Sequence, residues 1–79
     1  MKGGTILKVI DPSYIEKMGF VKSGHDWVCY LLIDGDKKLV FTIYAGSPYL
    51  RFSKTAYIAE EQLRLVYEWT KAGYIEWED

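Results

Sequence analysis

Residues 27–45 read WVCYLLIDGDKKLVFTIYA, and this stretch decides the fold. Asp34-Gly35 lies between two runs of β-branched, aliphatic and aromatic residues. Asp-Gly is a strong signal for a short hairpin loop because both positions tolerate a positive φ. The stretch therefore predicts a β-hairpin with strands over roughly 26–33 and 38–45.

Strand alternation predicts which side chains of this hairpin share a face. With a two-residue or a four-residue loop, one face carries Val28, Tyr30, Leu32, Leu39, Phe41 and Ile43, and the other carries Trp27, Cys29, Leu31, Ile33, Val40, Thr42 and Tyr44. A three-residue loop would exchange the residues of the second strand between the faces, because a one-residue slip inverts the pleat. Both faces are apolar in each case.

Two elements are expected before the hairpin and one directly after it. A first strand over 5–10 leads to a short helix over 12–18, which begins either with Asp11 as its cap or with a Ser13 and Glu16 capping box. Gly19 ends that helix, with Phe20 folding back on it. After the hairpin, residues 49–53 alternate well enough for a third strand of an antiparallel meander.

The last third of the chain changes to helical periodicity. Residues 56–72 predict a helix that ends at Gly73, and its apolar arc is wider than one sheet contact requires. The tail, residues 74–79, forms either an edge strand or a loosely docked end. The order β-α-β-β-β-α predicts an α+β domain of two layers, with the C-terminal helix packed on one face of an antiparallel sheet of three to four strands.

Length and composition bound the class of protein. The chain has 79 residues, 49% of them hydrophobic, and a net charge of -1. We expect one domain over 1–79, which buries only about 60% of its unfolded surface. One cysteine allows no internal disulfide, no apolar run reaches the ~20 residues of a membrane span, and the N-terminus lacks a signal-peptide pattern. We therefore expect a cytoplasmic protein that does not enter membranes.

The residue types of catalysis are sparse. His25 and Cys29 are the only residues of their kinds, and within one strand they would lie roughly 13 Å apart, which exceeds hydrogen-bond reach. One His and one Cys cannot form a zinc site, and Asp34-Gly35-Asp36 lacks the later ligands of a calcium loop. The sequence therefore predicts no catalytic residue, no metal, no cofactor and no enzyme.

The surplus apolar face of the hairpin is the feature that points to a function. One helix covers one face of the sheet, which leaves an interface predicted at Trp27, Leu31, Ile33, Val40 and Tyr44. Exposed apolar patches of several hundred Å² are uncommon on monomers and usually mark interaction sites. Three uses remain open: cover by the first strand, first helix and tail, a homodimer contact, or binding of a protein partner or ligand.

A ligand-binding role is the alternative to protein binding. Tyr30, Tyr44, Tyr49 and Arg51 lie on or near the predicted sheet, where aromatic rings beside a cation stack nucleotides or single-stranded bases. The weak net charge argues against a protein whose main task is neutralising phosphates. Nucleic-acid binding is therefore the second hypothesis.

The chain resembles small uncharacterised α+β proteins of phages and prophages. Residues 14–20, YIEKMGF, form the short helix with its Gly-Phe stop, Trp27 and Tyr30 open a strand, and residues 61–67 carry the last helix. The resemblance spans about 60 of the 79 positions. It implies a mobile-element accessory protein that binds and occludes a host protein, such as a component of a defence system.

Overall fold

The chain folds into two antiparallel sheets and two helices. This fold is given by a computed structural model, which describes residues 6–53 and 59–78. The elements in chain order are β1 (Ile6–Val9), α1 (Tyr14–Lys17), β2 (Val21–Ser23), β3 (Asp26–Ile33), β4 (Asp36–Ile43), β5 (Arg51–Phe52), α2 (Ala59–Ala72) and β6 (Ile75–Glu78). The larger sheet has the strand order β2-β3-β4-β5, and β1 pairs with β6 in the smaller one. The predicted α+β class is confirmed.

The central hairpin turns through a two-residue loop, as its Asp-Gly signal predicts. Ile33 pairs with Asp36, and Asp34 and Gly35 have φ values of 53° and 82°. Positive φ at both positions defines the mirror-image turn whose twist matches the flanking strands. β5 pairs antiparallel with β4, which confirms the predicted meander.

A fourth strand, β2, was not expected from the sequence. It pairs with β3 through a two-residue loop of Gly24 and His25, and Gly24 has a φ of 64°. Glycine at the first loop position is typical of the other common hairpin turn. The three residues of β2, Val-Lys-Ser, are too few for alternation to show, so only Gly24 signalled it.

A β-bulge at Val40 changes the face assignment of the hairpin. Cys29 pairs with Phe41 but Tyr30 pairs with Leu39, so Val40 is an extra residue in β4. The bulge inverts the alternation between the loop and the far end of the strand. Phe41 and Ile43 therefore share a face with Trp27 and Cys29, not with Val28 and Tyr30, and the predicted face assignment is wrong beyond the bulge.

The tail forms a strand, which settles the alternative that the sequence left open. β6 pairs antiparallel with β1 from Ile6↔Glu78 to Val9↔Ile75. The other edge of β1 contacts residues 48–50, where the Val9 N–H donates to the Pro48 carbonyl and the Leu50 N–H donates to the Leu7 carbonyl. β1 therefore joins the smaller sheet to the segment that leads into β5.

The short helix α1 is fixed at both ends by local hydrogen bonds. The Asp11 carboxylate accepts hydrogen bonds from the Ser13 N–H (2.9 Å) and hydroxyl (2.8 Å), which lower the pKa of that carboxyl. Ser13 makes no capping bond with its own side chain, so Asp11 is the cap and the alternative capping box does not form. At the other end the Phe20 N–H reaches the Ile15 carbonyl past Gly19, which has a φ of 97°. This is the predicted glycine C-cap.

The helix α2 has the same kind of ending and packs on the larger sheet. The Tyr74 N–H donates to the Trp69 carbonyl past Gly73, as predicted. Gln62, Val66 and Trp69 are buried, and their spacing of four and three residues places them on one helical face. The predicted start of this helix at residue 56, like residue 5 of the first predicted strand, lies outside the described residues.

The core draws side chains from both sheets and both helices. Its buried members are Leu7, Val9, Ile15, Met18, Phe20, Cys29, Val40, Phe41, Ile43, Leu50, Val66, Trp69 and Ile75. Phe41 lies at its centre, with its ring centroid 5.0 Å from those of Trp69 and Phe52 and 6.5 Å from that of Phe20. The core cluster therefore lies on the side of the larger sheet that carries Cys29, Phe41 and Ile43, whereas Val28 is buried on the other side.

Candidate functional site

The face of the larger sheet that points away from the core carries an exposed apolar patch. Val28 and Thr42 pair across this face, with Val21 and Arg51 as the outer neighbours of that row. The exposed apolar side chains on this face form what we call the outer patch: Val21, Tyr30, Leu32, Leu39 and Tyr44. Leu32 is the most exposed, at 76%, and none of these five residues belongs to the core cluster or packs against it.

Two cations lie over the two tyrosine rings of the outer patch. The Lys37 ammonium is 4.9 Å from the ring centroid of Tyr30, and the Arg51 guanidinium is 5.2 Å from that of Tyr44. Such contacts contribute about 0.5–1 kcal/mol at exposed sites. The carboxylate on the same side, that of Asp26, accepts a hydrogen bond from the Ala45 N–H at 2.9 Å. The outer patch therefore has a cationic border.

The five residues predicted as an interface are divided between the two sides of the sheet. Trp27, Leu31 and Ile33 are half-buried against the core, and Val40 has no exposed surface. Tyr44 alone belongs to the outer patch. The bulge at Val40 accounts for the division, because it lies in β4 and places Phe41 and Ile43 on the face of Trp27 and Tyr44 on the opposite face. An uncovered apolar face exists, but of the five predicted residues it includes only Tyr44.

Three of the four residues predicted for the alternative, ligand-binding role lie on one face of the sheet. Tyr30, Tyr44 and Arg51 share the outer face of the sheet. Tyr49 lies apart, in a bridge with Lys8 of β1. Sequence reasoning missed Leu32, Leu39 and Val21 as surface residues because an apolar strand residue gives no sign of which side is covered.

A concave pocket on the core side of the sheet shares only Tyr44 with the outer patch. Its volume is about 560 Å³, and its walls come from β1, α1, the β2–β3 loop and the turn after β4. The lining residues are Val9, Pro12, Ile15, Lys22, His25, Trp27, Ile43, Tyr44, Ala45, Gly46, Ser47 and Pro48. Trp27, predicted as an interface residue, is therefore half-buried and accessible from this pocket.

Cys29 is placed where a thiol is unreactive. Its side chain is buried in the core at 4% exposure, and burial raises the pKa of the thiol from 9.0 to about 11. Only the thiolate is nucleophilic. His25 lies in the β2–β3 loop, so the structure gives the thiol no catalytic surroundings.

We expect Cys29 to react with an aromatic disulfide reagent about a hundredfold more slowly than an exposed thiol at pH 8, because the raised pKa reduces the thiolate fraction by about two orders of magnitude. The matched control is a Cys29→Ala, Ser23→Cys variant, whose thiol lies in the exposed strand β2. Absorbance of the released thiolate measures both rates. Equal rates in the two folded proteins would contradict the burial of Cys29.

Two further classes of site were sought in the described part of the chain. No three His, Cys, Asp or Glu residues among 6–53 and 59–78 come close enough to hold a metal ion. No helix within the same ranges is long and apolar enough to cross a membrane. The outer patch and the pocket are thus the features that carry a functional argument.

Comparison with known proteins adds no assignment. No protein-family model, curated protein or solved structure matches the chain. Function must therefore be argued from the outer patch, its charges and the pocket.

Proposed function

We propose that this protein is a non-enzymatic interaction protein that binds an acidic partner protein through the outer patch and occludes the surface it covers. The observation that carries the proposal is the group of neighbouring exposed apolar side chains on a sheet face without helical cover, with Leu32 and Leu39 beside Tyr30. Tyrosine and bulky apolar residues are typical binding anchors.

The strand edges support binding through the face rather than by strand addition. The two edge strands of the larger sheet, β2 and β5, have three and two residues. Short edge strands offer few free backbone groups to an added strand. A partner gains more from the outer patch, where apolar side chains of the two long central strands are exposed.

The charges bordering the outer patch favour an acidic partner over a second copy of the chain. Lys37 and Arg51 lie on this face, and the Asp26 carboxylate on the same side already accepts a hydrogen bond from the Ala45 N–H. Two copies packed face to face would bring like charges together, whereas a partner with carboxylates around an apolar centre complements them. A homodimer is therefore the competing use of the same surface. The likeness to phage proteins supports a partner from a host cell.

The test compares two leucines in different surroundings. We expect Leu39→Glu, in the outer patch, to weaken partner binding by roughly thirtyfold, or about 2 kcal/mol, because it places a charge in a desolvated contact. Leu63→Glu is the matched control, since Leu63 is 60% exposed on α2, outside the outer patch. A partner captured with the wild-type protein is purified, and calorimetry gives its affinity for each variant.

Three results would contradict the proposal. Equal binding by Leu39→Glu and wild type would place the partner elsewhere. Light scattering that gives a dimer for the wild type and a monomer for Leu39→Glu would assign the outer patch to self-association. Salt-sensitive binding of a single-stranded oligonucleotide, lost with Tyr30→Ala, would favour the second candidate function.

That second candidate is a small nucleotide- or single-strand-binding module. The specific observation in its favour is that Tyr30, Tyr44 and Arg51 share one sheet face. Bases stack on such rings and contribute about 1–3 kcal/mol each. Both rings, however, already have a cation over them, so a stacked base would have to displace Lys37 or Arg51 or use the other ring face.

A further inference from the structure

The pocket on the core side of the sheet shares only Tyr44 with the outer patch and is lined by both apolar and polar groups. Its volume of about 560 Å³ falls inside the range of about 300–1,000 Å³ that is typical of small-molecule sites. The site lies where β1, α1 and two loops meet. None of the outer-patch leucines or valines lines it.

The apolar wall of the pocket is made of residues that the core holds in place. Val9, Ile15 and Ile43 are each buried to within a few per cent and line the pocket with the rest of their surface. Pro12 adds a rigid ring at the start of α1. Trp27 contributes an indole that is half-buried and packed against the core. A flat apolar group therefore has a preformed surface to contact.

The polar groups of the pocket are donors or cations. The Lys22 ammonium lies 5.0 Å from the centroid of the Trp27 ring, and His25 follows in the adjacent loop. Ser47 also lines the pocket, and its hydroxyl already accepts a hydrogen bond from the Tyr49 N–H at 3.2 Å. No Asp or Glu is among the described residues that line the pocket.

We propose that this pocket binds a small organic anion that carries a flat apolar ring. The ring contacts Trp27 and the aliphatic wall, and the anionic group pairs with the Lys22 ammonium near the opening. Charge-assisted hydrogen bonds are about twice as strong as neutral ones, so the cation selects the charge of the ligand. Small inorganic anions have no apolar surface to bury against this wall, so we expect them to bind more weakly than a ligand with a ring.

The test uses three probes with the same ring and different charge. Naphthoate is anionic, naphthylmethanol is neutral and naphthylmethylamine is cationic, and each is titrated into the isotopically labelled full chain and followed by NMR. We expect naphthoate to bind at least about tenfold more tightly than the amine. The amide signals of residues 22–27 and 46–48 and the indole signal of Trp27 should shift.

Two lysine variants distinguish recognition of the ligand's charge from nonspecific binding of its ring. Lys22→Gln should lower the affinity for naphthoate about tenfold and leave that for naphthylmethanol unchanged. Lys71→Gln is the matched control, because the Lys71 ammonium also lies 5.0 Å from an aromatic centroid, that of Tyr67 on α2. It should change neither affinity.

Each contrary outcome overturns the proposal. Absence of shifts at millimolar naphthoate would show that the pocket does not bind the probe. Equal affinity for the amine would show that the pocket has no preference for an anion. Shifts confined to Tyr30 and Leu39 would place the probe on the outer patch instead. The protein-binding proposal is tested at other residues, so either proposal can fail alone.

Discussion

Phe41→Ala is expected to remove a large share of the stability of the fold, at a cost of about 3–5 kcal/mol. Phe41 has no exposed surface, and its ring contacts those of Phe20, Trp69 and Phe52. A domain of this size has a free energy of unfolding of about 4–12 kcal/mol. Removing the ring leaves a cavity that sheet and helix can close only in part. Urea denaturation followed by circular dichroism measures the loss.

Phe52→Ala is the matched control for this substitution. The Phe52 ring touches Phe41 but is 43% exposed, at the short edge strand β5. We expect it to cost only about 1 kcal/mol, since much of its surface is already in water. If Phe41→Ala fails to fold, Phe41→Leu, which keeps most of the volume, gives a measurable cost. Equal costs for the two positions would contradict the central place of Phe41.

The second large effect is expected at Gln62, the buried polar residue of α2. Its amide Nε2 donates to the carbonyl of Val40 at 2.8 Å and to that of Ser53 at 3.2 Å. Gln62→Glu keeps the shape but turns a donor into a carboxylate that faces two carbonyl oxygens. We expect a loss of at least about 3 kcal/mol at neutral pH, because a buried charge is left without a partner.

The stability loss caused by Gln62→Glu should depend on pH in a definite direction. The introduced carboxyl should have a folded-state pKa above its unfolded value, because burial and the two carbonyls oppose its ionised form. The protonated carboxyl can donate, so the difference in unfolding free energy from wild type should shrink as the pH falls. Gln62→Met, which has no titratable group, is the control and should show a smaller, pH-independent loss. A pH-independent loss for Gln62→Glu would contradict the hydrogen bonds assigned to Gln62.

Local signals made much of the fold predictable. Asp34-Gly35 predicted the central hairpin, Asp11 predicted the start of α1, and Gly19 and Gly73 predicted both helix ends. Each of these acts within a few residues of itself, through a positive φ or a short-range hydrogen bond. This is why the α+β class followed from the sequence.

The bulge was not predictable because its cause is distant in the chain. Val40 is flanked by Leu39 and Phe41, and nothing local marks one of three consecutive apolar residues as extra. In the structure the Val40 carbonyl accepts from the Ser53 N–H and from Gln62, which is 22 positions further along. Since alternation has a period of two, one unseen bulge changes every face assignment that follows it.

The unseen bulge also affects the prediction of the candidate site, because it changes which residues of β4 are exposed. Tyr44, one of the predicted interface residues, is exposed, whereas Val40, another of them, is fully buried. The pocket gave no sequence signal at all, because its walls come from β1, α1, the β2–β3 hairpin and the turn after β4, which only the fold brings together.

The pairing of β1 with β6 has a consequence for how the chain folds. The β2–β3 and β3–β4 hairpins join near neighbours in sequence, whereas Ile6 and its partner Glu78 are 72 positions apart. Contacts of such long sequence separation carry the greatest loop-closure entropy. We therefore expect the small sheet to close late in folding, after the hairpins that carry the outer patch.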